Sequence, residues 1–227
     1  MAQVKKKVLG TVHGAVGDMV FREKFGNSYV GMRPKSFVPG KDDASIARRK
    51  RFKMVVEFGR SVNVIKQLKY FWDVYGPQKM SPYNYIVKKN YLNVLPDDVS
   101  NTAILVPDLG FSITTPTINI TNTRITVTVP ALGLNTGIDT NIEKSIVLKA
   151  ILFFKTPLQP KNKPFEFLSL ESTAQTLTLT DPIVFNIPLS DYETQIYDLY
   201  SARKGFFALV TTDINNKPIR FSNTENS

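Results

Sequence analysis

Near residue 100 the chain changes chemistry, and that change constrains the fold more than any motif. Residues 1–100 carry 19 Lys and Arg against 8 Asp and Glu, whereas residues 101–227 carry 10 against 11. The formal net charge of +10 therefore sits entirely in the first half. Before the change lie a glycine-punctuated segment and a basic helical pattern. After it come Thr-, Ile-, Val- and Phe-rich runs with little charge. The predicted fold class is α+β: an N-terminal β-hairpin, a long basic helix and a short helix, then an antiparallel β-sandwich of the immunoglobulin or fibronectin-III kind. Two domains are expected, a basic hairpin–helix docking domain over 1–98 and a β-sandwich over 99–227.

The bulk composition is that of a globular protein, 42% hydrophobic and 21% charged. With no Cys there is no disulfide, thiolate metal site or Cys nucleophile. The start Met1-Ala2-Gln3-Val4-Lys5-Lys6-Lys7 is basic but lacks a continuous apolar stretch, so no Sec signal is expected. No run reaches the roughly 18 apolar residues of a membrane-spanning helix.

Residues 8–33 read as β structure. Gly10, Gly14 and Gly17 punctuate the entry, and two alternating runs flank Phe25-Gly26-Asn27, the signature of a hairpin. Pro34 removes a ladder donor and ends it. Asp42 or Asp43 then supplies an N-cap for a helix running to about Tyr75. Its apolar face is Phe52, Val55, Val62, Ile65, Leu68 and Trp72, stepping by three, four or seven. Arg48, Arg49, Lys50, Arg51 and Lys53 crowd the early turns, where cations oppose the helix dipole and favour an external anion. Gly59 marks a close crossing, and Gly76-Pro77 stops the helix. A shorter helix follows over 81–94. Strands are predicted over 103–106, 117–119, 124–129, 145–154, 165–170, 176–179, 183–187, 205–212 and 218–221, with a short crossover near Leu189 to Tyr192.

Little here carries chemistry. The single histidine, His13, lies in a glycine-rich entry with only Asp18 nearby, so it makes neither a triad nor a metal site. The acid pairs Asp42-Asp43, Asp97-Asp98 and Asp191-Tyr192-Glu193 do not form a Ca²⁺ loop. Gly10, Gly14 and Gly17 lead into a strand and not a helix, which excludes a phosphate loop. Aromatics among basic residues (Tyr70, Phe71, Trp72, Tyr83 and Tyr85 beside Lys66, Lys69 and Lys88) could stack on bases, but helical spacing favours core or a subunit interface for most of them. Asn119-Ile120-Thr121 fits a glycosylation sequon. No catalytic residue, cofactor or metal ligand is expected.

The block from Leu9 through Gly10-Thr11-Val12-His13-Gly14-Ala15-Val16-Gly17 to Arg22, with Phe25-Gly26-Asn27-Ser28-Tyr29-Val30-Gly31-Met32-Arg33-Pro34 and Ala47-Arg48-Arg49-Lys50-Arg51-Phe52-Lys53, resembles an uncharacterised family from Bacteroidota genomes and their phages. That family pairs a glycine-rich hairpin with a basic helix and a β-sandwich. The resemblance covers roughly residues 8–93, and Ala47-Arg48 stands where the family carries Gln-Arg. It implies a Bacteroidota or phage setting and a non-enzymatic role, and it transfers no functional residue. The expected function is a structural component of a phage virion (tail, connector or ring), assembled in the host cytoplasm. Its partners would be other virion proteins and further copies of itself, with no membrane. The contact residues are Lys5, Lys6, Lys7, Arg22, Arg48, Arg49, Lys50, Arg51 and Lys53. Whether these meet acidic protein or packaged DNA stays open in the sequence. The alternatives are a nucleic-acid-binding protein with an accessory sandwich and a surface or adhesive sandwich protein.

Overall fold

The computed structural model describes residues 2–4, 14–33, 36, 38–107 and 110–227. Lys5, Lys6, Lys7, Gly10, His13 and Pro34 lie outside the described residues. Among the described residues the chain is α+β, with four helices and several antiparallel sheets. It divides into two compact units, Met1–Ile46 and Ala47–Ser227.

The first unit is a four-stranded sheet ordered β1-β4-β3-β2, formed by β1 (Ala2–Val4), β2 (Gly14–Val16), β3 (Met19–Lys24) and β4 (Asn27–Met32). The predicted hairpin is present, with Met19 opposite Met32 and Lys24 opposite Asn27. Its turn is tighter than the sequence suggested. Phe25 (φ 50°) and Gly26 (φ 75°) form a two-residue loop, and Asn27 already belongs to β4. Two successive left-handed residues make the turn whose twist matches the flanking strands. None of the described side chains in this unit is buried.

Helix α1 (Asp43–Val64) starts at the end of the first unit and supplies much of the second unit's core. Asp42 caps it, accepting from the Ser45 amide at 2.8 Å. The single helix expected to reach Tyr75 is instead two, because Ile65 is extended (φ −75°, ψ 107°) and α2 (Lys66–Val74) restarts after it. Val62, Val64 and Ile65 are β-branched and Asn63 is a weak helix former, so helix propensity is low here. α3 (Pro82–Asn90) begins after Ser81, whose hydroxyl accepts from the Asn84 amide, and ends in a 3-10 turn at Tyr91–Asn93.

The β region holds β5 (Thr117–Ile120), β6 (Arg124–Val129), β7 (Ser145–Pro157), β8 (Phe165–Glu171), β9 (Gln175–Thr176), β10 (Ile183–Pro188), β11 (Tyr200–Thr212), β12 (Pro218–Phe221) and β13 (Glu225–Asn226). A three-stranded sheet runs β10-β6-β5. A six-stranded sheet runs β12-β11-β7-β8, with β13 on β11 and β9 on β7. The predicted strand at 176–179 shrinks to the two residues of β9.

The predicted strand at 103–106 is not a strand, because side chains take its backbone groups. The carboxamide of buried Asn90 accepts from the Ile104 amide at 2.8 Å and donates to its carbonyl at 3.0 Å. The Trp72 indole donates to the Leu105 carbonyl at 2.8 Å, and the Thr224 hydroxyl accepts from the Leu105 amide at 2.8 Å. The predicted crossover near Leu189 is a fourth helix, α4 (Asp191–Asp198), closed by a reciprocal capping box between Ser190 and Glu193.

The central strands β7 and β11 are buried on both faces. Ile146, Leu148, Ala150, Leu152 and Phe154 of β7, with Phe207 and Leu209 of β11, meet Ile125, Val127, Val129, Ile183, Phe185 and Ile187 of the smaller sheet. On the other face Ile151, Phe153, Phe206, Ala208 and Val210 meet Met54, Val55, Phe58, Leu68, Phe71, Trp72 and Ile86 of the helices. The second unit is thus three layers: helices, a long sheet and a short sheet. The boundary expected at 98/99 does not divide it, because α1 to α3 share one core with the central sheet. Phe52, expected on the apolar face of the helix, is instead 57% exposed.

Candidate docking surface

The basic start of α1 follows directly from local sequence. Asp42 caps the helix and Asp43 sits in its first turn, which partly offsets the cations that follow. Arg48, Arg49, Lys50 and Lys53 are exposed, and Arg51 is half-buried. At 100° per residue consecutive positions cannot share a side, so these groups fan around the helix. Two of them are held by rings of the chain itself. The Arg51 guanidinium lies 5.8 Å from the centre of the Tyr91 ring, and the Lys53 ammonium 5.7 Å from that of Phe165. Such cation–π contacts orient a side chain without neutralising its charge. Arg22 belongs to β3 in the first unit, away in sequence from this cluster.

Lys53 also borders a groove of about 480 Å³ that no sequence motif signalled. Glu57, Arg60 and Ser61 come from α1, and Lys163, Phe165 and Glu166 from β8 and the loop before it. Two ion pairs lie along it, Arg60 to Glu57 at 2.8 Å and Lys163 to Glu166 at 2.7 Å. The hydrogen bond that Lys163 donates to the Glu166 carboxylate raises the Lys163 pKa, so that ammonium stays charged. Three cations face two carboxylates, which leaves the groove an excess of positive charge. The residues come from positions more than 100 apart, so only the tertiary fold gathers them.

A second charged cluster is structural. Asp98 Oδ2 accepts from Lys155 Nζ and Lys204 Nζ, each at 3.0 Å, and Lys204 also donates to the Val99 carbonyl at 2.9 Å. Burial pushes the Asp98 pKa up, but hydrogen bonds from Lys204 and Lys155 outweigh it and leave the carboxyl below its usual range. The staple ties the segment after α3 to β7 and β11. Phe71 and Trp72, candidates for base stacking, are buried in the core. Among the described residues no three His, Cys, Asp or Glu side chains cluster as a metal site, and no helix is long and apolar enough to cross a membrane.

No family model and no curated protein matches the chain. Among solved structures it is similar to the third fibronectin III domain of the human KIAA0343 protein, at a TM-score of 0.28 and 10% identity, covering 53% of this chain and 82% of that domain. It is also similar to DesR, a β-glucosidase from Streptomyces venezuelae, at a TM-score of 0.24 and 16% identity, covering 54% of this chain and 16% of the enzyme. Neither likeness is close enough to carry an argument.

Proposed function

We propose that the chain is a non-enzymatic structural subunit of a larger assembly, a phage virion component of the tail, connector or ring kind, docking through its first unit and the basic start of α1. One observation carries the reading. The four-stranded sheet of the first unit buries none of its described side chains. A sheet needs an apolar face packed against another layer, and a small one is marginal in water without it. The covering surface of an assembly partner would complete this one. The virion setting itself rests on the resemblance of residues 8–93.

The second unit would be the wall or decoration of such an assembly, a sandwich of the immunoglobulin or fibronectin-III kind. Strand order supports this. The first, second and fifth long strands (β5, β6, β10) form one sheet, and the fourth, third, sixth and seventh (β8, β7, β11, β12) form the other.

Replacing Arg48, Arg49 and Lys50 by Glu is expected to abolish incorporation into particles while the purified chain still folds and melts cooperatively. Normal incorporation would sink the docking role. The same exposed cations favour the nucleic-acid reading as runner-up. That reading predicts affinity for duplex or single strands falling steeply between about 50 and 500 mM salt, and a flat response would count against it.

A further inference from the structure

The register of the first unit sorts its side chains onto two chemically different faces. Directly opposed residues in antiparallel strands share a face, and neighbours along a strand alternate. Met19 stands opposite both Val16 and Met32, and Phe21 opposite Val30. Val16, Met19, Phe21, Val30 and Met32 therefore form one contiguous apolar face. Its one charge among the described residues is Glu23, opposite Ser28 at the turn end. Arg22, opposite Tyr29, and Lys24, opposite Asn27, point to the other face. On the apolar side Val16 is 61% exposed and Met32 71%.

We propose that this apolar face is closed by the same face of a second copy of the chain, the two sheets packing apolar side to apolar side. The proposal rests on the docking reading above and names the occupant of that surface. Charge selects the occupant. The unit is basic, but Arg22 and Lys24 lie on the reverse of the sheet, so pairing two apolar faces turns both sets of cations outward and leaves only Glu23, at the turn end, on the joined side. An acidic protein or a nucleic acid would be drawn to that reverse face and would leave Val16, Met19 and Met32 in water. The second unit shows how this chemistry resolves when cover is available, since the alternating strands β6 and β10 bury their apolar side against the long sheet. Two such sheets pack about 10 Å apart, so side chains of this size interdigitate without rebuilding either backbone.

The absence of Cys makes the test clean, because any cysteine introduced is unique. Val16→Cys, Met19→Cys and Met32→Cys would be made singly in the full chain, with Lys24→Cys as the reverse-face control. All four positions are exposed, so none needs the core to adjust. Under mild oxidation at about 10 μM protein, at least one apolar-face variant is expected to form disulfide dimers about tenfold faster or more than Lys24→Cys, because pairing sets an effective concentration in the millimolar range. Light scattering of the unmodified chain should give a dimer or a multiple of it at both low and high salt. Equal cross-linking rates at all four positions would overturn the proposal, as would a monomer at both salts. The docking reading is separately judged by particle incorporation of the Arg48, Arg49 and Lys50 variant. A monomeric chain that still enters particles would overturn the second copy as occupant and leave that reading standing.

Discussion

Asp98 shows how a single carboxylate can organise a seam of this fold. It receives two ammonium groups and the Val99 amide, and a neutral amide in its place would leave Lys155 and Lys204 half-buried with weaker acceptors. Asp98→Asn is expected to lower the unfolding free energy at pH 7 by about 1–3 kcal/mol, read from denaturant melts. The pH dependence has a defined sign. A carboxyl whose pKa is depressed on folding adds stability that is complete above its unfolded value near 4 and is lost as pH falls through the folded value. The gap between variant and parent should therefore hold at pH 6–7 and close as pH drops below about 4. A gap that stays constant with pH would show that Asp98 acts by packing alone. Asn90 and Trp72 work at the same scale without charge, holding residues 104 and 105 through side-chain hydrogen bonds.

Among the elements, the crossing of α1 over α3 turns on one glycine. A Cβ built on Gly59 would lie 2.9 Å from Val87 Cγ2, while Tyr83 and Ile86 stand at ordinary contact distance. Glycine costs a helix interior about 1 kcal/mol relative to alanine, so the contact must outweigh that gain for glycine to be the better residue. Gly59→Ala is expected to destabilise the fold despite its better propensity, and Val87→Ala should make the two changes less than additive by about 1 kcal/mol in a double-mutant cycle. Additive effects would mean that the helices separate freely at this point. The hairpin and α4 were legible at this level from their residues, though only the hairpin was read. The Ser190-x-x-Glu193 capping box stands in the sequence, but eight residues between two strands look like a crossover until the reciprocal cap is seen.

At the scale of the whole molecule the decisive fact is that helices and sheet share one core. A chain truncated to residues 41–227 keeps both faces of β7 and β11 covered, and should melt within a few degrees of the full protein. A chain cut at 99, where the charge changes, loses α1 to α3 and lays Ile151, Phe153, Phe206 and Val210 open to water. Exposed apolar patches of that kind drive aggregation. Light scattering during expression and thermal melts would separate the two. A soluble, cooperatively folded 99–227 fragment would show that the helical layer is an accessory.

What the sequence determined by itself were features set by neighbours along the chain. The alternation of β6, the β3–β4 pairing, an aspartate cap at 42 or 43 and the glycine at a close crossing all follow from period, turn chemistry and backbone freedom. Charge segregation was equally plain, but it marks where cations are displayed and not where a core ends. The tertiary structure alone decided the rest. Ile65 leaves helical geometry while its side chain stays in the core, residues 103–106 give their backbone bonds to distant side chains, and the groove at Lys53 draws on both α1 and β8. The helices fold with the strands because β7 is apolar on both faces. A strand can bury two faces only when the chain returns with a second layer, and which segment returns is not written in the strand.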